Sequence, residues 1–167
     1  IYHRGRNEPP ENTFTILCIG EVYLKKNQLD SALIFTQQGY KLAKATSNGC
    51  SILLATRNLG DIYFVKGDNG RALYYYRQYI PDFVKYKERN RDLGFVLNNM
   101  SKIFQRKNQN DSAVFYAKKA LSNAREYHDQ ENIYNATTSL YNFYYDKSEH
   151  DAFIYFKIAA AAKDSMA

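Results

Sequence analysis

A unit of about forty residues recurs four times along the chain. Each copy contains an alanine that is followed by an apolar residue and, three positions later, by an aromatic residue. The four alanines are Ala32, Ala72, Ala113 and Ala152, at spacings of 40, 41 and 39 residues. A single unit of this size cannot bury its own apolar side, so repeats of this kind stack on one another and share a continuous core.

A second pattern precedes each alanine and has the spacing of an amphipathic helix. Its apolar positions are separated by three and then four residues, which places them on one helix face. The four copies are Ile16-Ile19-Tyr23, Thr56-Leu59-Tyr63, Leu97-Met100-Phe104 and, more weakly, Ala136-Ser139-Phe143. Gly20, Gly60 and Ser101 follow the middle position, which predicts close approach of another helix there. Leu140 holds this place in the fourth copy and predicts a looser contact.

Polar residues separate the two patterns within each unit, so each unit is predicted to be a helix, a tight turn and a second helix. Asn, Asp and Ser at these places can end one helix and cap the next. We expect Pro81 to kink or break the fourth helix, because it lacks a backbone donor. The predicted helices cover 13–26, 29–46, 51–66, 69–88, 92–107, 110–127, 131–146 and 149–165.

Composition argues against several other classes of protein. The chain of 167 residues has only two cysteines and three histidines, and its mean hydropathy is −0.58. It contains no glycine-rich phosphate loop, no paired-cysteine motif, no apolar run long enough to span a membrane and no visible signal peptide. We therefore expect neither an enzyme nor a cofactor. Since the sequence starts at Ile1, we also expect a fragment or a processed product, and its compartment, cytoplasm or periplasm, is left open.

The net charge of +6 leaves nucleic-acid binding open as an alternative. The basic residues are spread over the whole length, however, and two acidic residues interrupt the densest cluster. A solvated surface is the favoured interpretation, and no specific nucleic acid is predicted. The cluster consists of Lys85, Lys87, Arg89 and Arg91.

The pattern resembles the tetratricopeptide repeat, most closely in Leu59-Gly60-Asp61-Ile62-Tyr63 followed by Lys66-Gly67-Asp68 and Ala72. The resemblance covers roughly 13–165, with a period longer than that family's usual value of about 34 residues. It implies an all-α fold, a right-handed superhelical array of four antiparallel helix pairs. The chain would be a single domain over 1–167, with repeats at about 13–48, 51–90, 92–129 and 131–167. The Tyr-, Asn- and Lys-rich repeats also resemble the sensor region of bacterial regulators of the Bacteroidetes type.

The resemblance implies a protein- or peptide-binding module in which the first helix of each pair lines a concave groove. Asparagines there would bond an extended peptide, Arg and Lys would hold a carboxylate, and tyrosines would contact an apolar side chain. The lysine and asparagine of the family's carboxylate clamp are replaced by Leu17 and Glu21, so that variant is not predicted. The predicted groove residues are Arg57, Asn58, Asp61, Asn98, Asn99, Lys102, Arg106, Tyr141, Tyr144 and Tyr145.

The last helix, 152–162, is apolar on more than one side. We expect a second copy of the chain or a downstream segment to cover it. The main alternative to groove binding is a structural scaffold that assembles through such surfaces.

Overall fold

The computed structural model describes the backbone of residues 10–85 and 92–166, and all regular secondary structure in this part of the chain is α-helical. Eight α-helices lie within it, and each predicted helix is confirmed to within three residues at the ends that can be compared. The predicted end of the fourth helix, 86–88, lies outside the described residues, as does most of the basic cluster around Lys87. The helices are α1 Pro10–Lys25, α2 Leu29–Ala45, α3 Gly49–Val65, α4 Asn69–Lys85, α5 Asp92–Arg106, α6 Asn110–Glu126, α7 Gln130–Tyr144 and α8 Glu149–Asp164.

The chain divides into two compact units, 1–88 and 89–167, and the single repeat domain over 1–167 stays a prediction. The first unit contains the hairpins α1–α2 and α3–α4, and the second contains α5–α6 and α7–α8. In each unit the second helix of the first hairpin also packs against the first helix of the next. Each unit is therefore a pair of stacked helical hairpins, as the repeat predicted.

A left-handed residue ends the first helix of the first three hairpins. Asn27, Gly67 and Asn108 have φ values of 57°, 78° and 56°. The residue after each donates its N–H to the carbonyl five residues back, for example Gln28 to Tyr23 at 2.9 Å. This is the Schellman arrangement, and Asn and Gly adopt it at low cost. The turns thus end the first helix as predicted. The predicted cap on the second helix is found at Asp68, which accepts from the N–H of Arg71 at 3.0 Å, whereas Gln28 and Gln109 make no side-chain cap bond.

The four repeat alanines occupy the same place in their hairpins. Each is the fourth residue of its second helix, is buried, and donates its N–H to the carbonyl of the residue that precedes the helix. Each hairpin is also held by a stack of two near-parallel rings, one from each helix. The stacked pairs are Tyr23–Phe35 at 5.3 Å, Tyr63–Tyr75 at 5.7 Å, Phe104–Tyr116 at 5.2 Å and Tyr144–Tyr155 at 5.6 Å between ring centroids.

The fourth hairpin corrects the predicted register of α7 by one residue. Its ring stack uses Tyr144, not Phe143, and its partners are eleven residues apart where the other pairs are twelve apart. Thr137 bonds the carbonyl of Ile133 at 2.7 Å, as Thr56 bonds its own neighbour four residues back in α3. The apolar stripe of α7 is thus Thr137-Leu140-Tyr144. The chain between the ring partners is one residue shorter here. Counting the same spacing as in the other hairpins therefore selected Phe143 in place of Tyr144.

Close helix packing at the predicted glycine positions is confirmed in the first unit. A Cβ on Gly20 would overlap the hydroxyl of Thr36, and a Cβ on Gly60 would overlap the ring of Tyr76. With the corrected register, Tyr141 occupies this place in the fourth hairpin. Its ring centroid lies 6.0 Å from that of Phe156, which is left more than half exposed. The helices α7 and α8 nevertheless pack as extensively as the partners of the other hairpins, so the looser contact predicted from Leu140 is not found.

Pro81 does not break α4, which continues to Lys85. The break expected from its missing N–H donor is therefore absent. Pro81 lies on the exposed side of the helix, whereas its neighbours Tyr79 and Phe83 are buried. Burial of these two aromatic side chains favours a continuous helix in spite of the proline.

Candidate functional site

The first helices of the first unit carry a set of charges that neutralise one another. Arg57 of α3 lies 3.4 Å from a carboxylate oxygen of Glu21 on α1, and Lys25 approaches the other oxygen at 3.1 Å. Arg57 also donates to Oδ1 of Asn58 at 2.9 Å. Asp61, one turn further along, accepts a 2.6 Å hydrogen bond from the hydroxyl of Tyr76 on α4. Arg57 and Asp61 of α3 thus contact α1 and α4, respectively, and their use by a ligand stays a prediction.

Asn58 does not have the accessibility that the prediction required. Its side chain is 1% exposed, and its amide oxygen is used by Arg57. An extended peptide cannot reach an amide covered in this way. The prediction of Asn58 as a groove residue is therefore wrong, because packing between helices covers the position.

Asn98 is buried as well and belongs to a polar network within the second unit. Its Nδ2 donates to the side-chain oxygen of Asn132 on α7 at 2.8 Å and to the backbone oxygen of the same residue at 3.3 Å. Asn132 in turn donates to Asp129, the residue that caps α7, through both its backbone N–H and its amide. Gly94 leaves room for this cluster, since a Cβ there would lie 3.2 Å from Asn132. Asn98 thus links α5 to α7, and its predicted groove role is wrong.

Lys102 and Arg106 form the cationic part of the candidate site on α5. They lie one helical turn apart, with Lys102 half-buried and Arg106 exposed. Burial lowers the pKa of Lys102 below its ordinary value, the Arg106 guanidinium lowers it further, and the Glu131 carboxylate on α7 opposes both effects. Asn99 is partly exposed three residues before Lys102. A ligand carboxylate at this place would favour the charged form of Lys102.

The three predicted tyrosines of α7 serve different purposes. Tyr144 is partly buried in the ring stack with Tyr155 that closes the fourth hairpin, and its contact with a ligand stays a prediction. Tyr141 faces α8 beside Phe156 and lines a cavity of about 360 Å³ between the two helices. Tyr145 is exposed, and its ring meets that of Tyr141 edge-on at 5.5 Å.

Sequence reasoning missed the buried cluster of Asp129 and Asn132. The clue was an acidic residue followed by polar residues before an apolar stripe, which is typical of a helix N-terminus. It also missed the way in which lysines lie over aromatic rings on the second helices. Lys119 lies 4.6 Å from the ring centroid of Phe115, and Lys157 lies 5.3 Å from that of Phe153.

Within residues 10–85 and 92–166, no cluster of three or more His, Cys, Asp or Glu side chains could hold a metal ion. In the same part of the chain, no helix is both long enough and apolar enough to cross a membrane. Cys50 is exposed and Cys18 is partly buried.

The hairpin repeat defines the chain as a helical-repeat protein of the α-solenoid kind. No family model matches the sequence, and no curated protein matches it either. Among solved structures, the fold is similar to that of BtubC (BKLC) from P. vanneervenii, with a TM-score of 0.82 and 17% sequence identity. The match covers 98% of this chain and 68% of that chain, and at this identity it bears on the fold alone.

Proposed function

We propose that the chain is a non-catalytic, tetratricopeptide-like module that binds a peptide or protein segment. In this proposal it is the sensor or interaction part of a larger bacterial signalling or transcription regulator. The observation that carries it is the cationic pair on α5, in which Lys102 is half-buried beside Arg106. A half-buried amine repelled by its neighbour is stabilised in its charged form by an incoming carboxylate.

The favoured ligand is an acidic side chain or a free carboxyl terminus on an extended segment. Lys102 and Arg106 would bind the carboxylate, and the partly exposed Asn99 would contact the segment beside it. We place the anion-recognition element on α5, where a ligand carboxylate would join the Glu131 carboxylate of α7 in stabilising the charged form of Lys102.

The chain contains no tryptophan, which provides a direct binding assay. A short acidic peptide with a single tryptophan and a free carboxyl terminus can be titrated with the protein and followed by its own fluorescence. Replacing Lys102 and Arg106 together with Gln removes two charge-assisted contacts of about 1.5 kcal/mol or more each, so the affinity should fall about a hundredfold or more.

The matched control replaces Lys118 and Lys119 of α6 with Gln, which changes the net charge equally on the exposed side of a second helix. It should leave the affinity unchanged. If the control substitutions lower the affinity as much as those at Lys102 and Arg106, the binding depends on net charge and not on the pair on α5. A lysine-substituted peptide that binds as tightly as the acidic one would refute recognition of a carboxylate.

A structural scaffold is the second candidate function. It is supported by apolar side chains that stay exposed on α1 and α8, for example Val22 and Phe156. Such patches are typical of surfaces that contact another protein.

A further inference from the structure

Two helix faces, one on α1 and one on α7–α8, match surfaces that are buried between hairpins elsewhere in the same unit. This inference does not depend on the proposed peptide site. The position of each face in the repeat is fixed by the alanines and ring stacks described above. Because the hairpins are equivalent, a position that is buried in one hairpin can be compared with the same position exposed in another. The helix that covers the first is then the contact that the second does not have.

The face on α7–α8 corresponds to the groove between α5 and α6. Ala117 and Ala124 of α6 are each 1% exposed, and their counterparts in the last hairpin are Phe156 and Lys163, of which Phe156 is 54% exposed. Thr36 and Tyr76, which hold the place of Ala117 in the first two hairpins, lie against the first helix of their own hairpin. The groove is therefore covered in the third hairpin, where α7 follows α6, and open in the fourth.

The cavity of about 360 Å³ lies in this open surface. In the third hairpin the corresponding place is filled by Asn132 of α7, which contacts Gly94 and bonds Asn98. The cavity of the fourth hairpin thus has the position of a socket for the first helix of a following hairpin. Its lining includes Tyr134, Thr138, Tyr141, Phe156, Ala159 and Ala160.

The face on α1 is the complementary case. Ile19 and Val22 are 37% and 50% exposed, whereas their counterparts on α3, Leu59 and Ile62, are fully buried. Both helices pack against the second helix of their own hairpin, and among the described residues α3 also packs against α2. In the first unit these two positions are thus buried on the helix that packs against α2 and open on α1. A shallow cavity of about 320 Å³ runs along this face of α1, beside Cys18.

We propose that a second copy of this chain docks its α1 face into the α7–α8 face of the first, in the way that α7 packs on α6. The α1 face offers exposed apolar side chains, Ile19 and Val22, where α7 has Leu140 and Phe143, and Glu11 is the sequence counterpart of Asn132. The contact is head-to-tail, because it joins two different surfaces. Each dimer keeps one free face of each kind, so association continues as the concentration rises.

Sedimentation velocity and light scattering from about 1 μM to about 1 mM protein cover the range of weak to moderate Kd values. The wild-type weight-average mass should rise above 19.4 kDa. Val22→Glu and Phe156→Glu, which each place a charge on one exposed apolar position, should hold the mass at that of the monomer. Circular dichroism establishes that both variants remain helical.

Ile154→Glu is the matched control on the same helix as Phe156. Ile154 is exposed like Ile34, Tyr74 and Phe115, its counterparts in the other hairpins, so it lies outside the contact between hairpins. This variant should associate as the wild type does. A loss of association in Ile154→Glu equal to that in Phe156→Glu would overturn the proposed surface.

Mixing the two monomeric variants tests the head-to-tail geometry directly. Val22→Glu keeps an intact α7–α8 face and Phe156→Glu keeps an intact α1 face, so a 1:1 mixture should form a dimer that grows no further. A mixture that stays monomeric would overturn the proposal. So would wild-type protein that remains monomeric over the whole range, or a Val22→Glu variant that associates as the wild type does. A failure of the peptide titration would leave these results unaffected, since the two experiments use different residues.

Discussion

Gly60→Ala tests the inference that the glycine of the first helix exists to admit a neighbouring aromatic ring. A Cβ at Gly60 would overlap Tyr76, which is fully buried and donates a 2.6 Å hydrogen bond to Asp61. Alanine gains about 1 kcal/mol of helix propensity over glycine. Against this, overpacking costs about 2 kcal/mol, and displacement of the ring loses a hydrogen bond to a carboxylate worth about 2 kcal/mol. The free energy of unfolding should therefore fall by about 3 kcal/mol.

Urea denaturation followed by circular dichroism measures this change. In a Tyr76→Ala background, Gly60→Ala should no longer lower the free energy of unfolding. The third hairpin has this combination already, since the side chain of Ser101 lies there opposite the small Ala117. Gly70→Ala is the matched control in the same unit, since a Cβ there would meet nothing closer than an Asp68 oxygen at 3.6 Å. A Gly60→Ala protein as stable as the wild type, or one with the same cost in both backgrounds, would refute the packing argument.

Three further changes probe other parts of the structure. Asp129→Ala should cost about 3 kcal/mol, because it removes a helix cap and leaves buried amides unpaired, whereas Asn48→Ala should cost about 1 kcal/mol as a cap alone; equal losses in urea denaturation would contradict the network. Lys102→Met should stabilise the protein at neutral pH. The folded pKa of Lys102 is lowered, so its penalty is fully present below that pKa and disappears as the pH rises towards the ordinary pKa near 10.5. An advantage that does not shrink with pH in a denaturation series would refute this. Lys66→Met should raise the pKa of Asp30 toward its ordinary value, since a 2.8 Å hydrogen bond from Lys66 lowers it in the wild type, and NMR titration that finds the same pKa in both proteins would contradict the contact.

The sequence predicted the hairpins well because their signals are local. A left-handed Asn or Gly ends a helix through its own backbone, as at Asn27 and Gly67. An alanine at the fourth position of the second helix packs within its own turn and hairpin, as at Ala72. Signals of this kind act over a few residues, so they can be read from the order of the residues alone.

The candidate site was predicted less well because accessibility is not a local property. Asn58 and Asn98 have the same spacing from the apolar stripe as residues on an open helix face, yet both are buried by neighbouring helices. Lys102 keeps partial exposure only one turn away from Asn98. The register of α7 was also undetermined, since only the partner Tyr155 shows which of two adjacent aromatics, Phe143 or Tyr144, enters the stack.

The order of residues thus determined the period, the helix ends and the positions of the small residues, since each depends on interactions within one hairpin. The tertiary structure decided which polar residues are covered and which apolar faces, such as that of Phe156, stay open. The physical reason is that burial requires a second helix to be present. That second helix belongs to a neighbouring hairpin, so the local sequence around a residue does not show whether it is there.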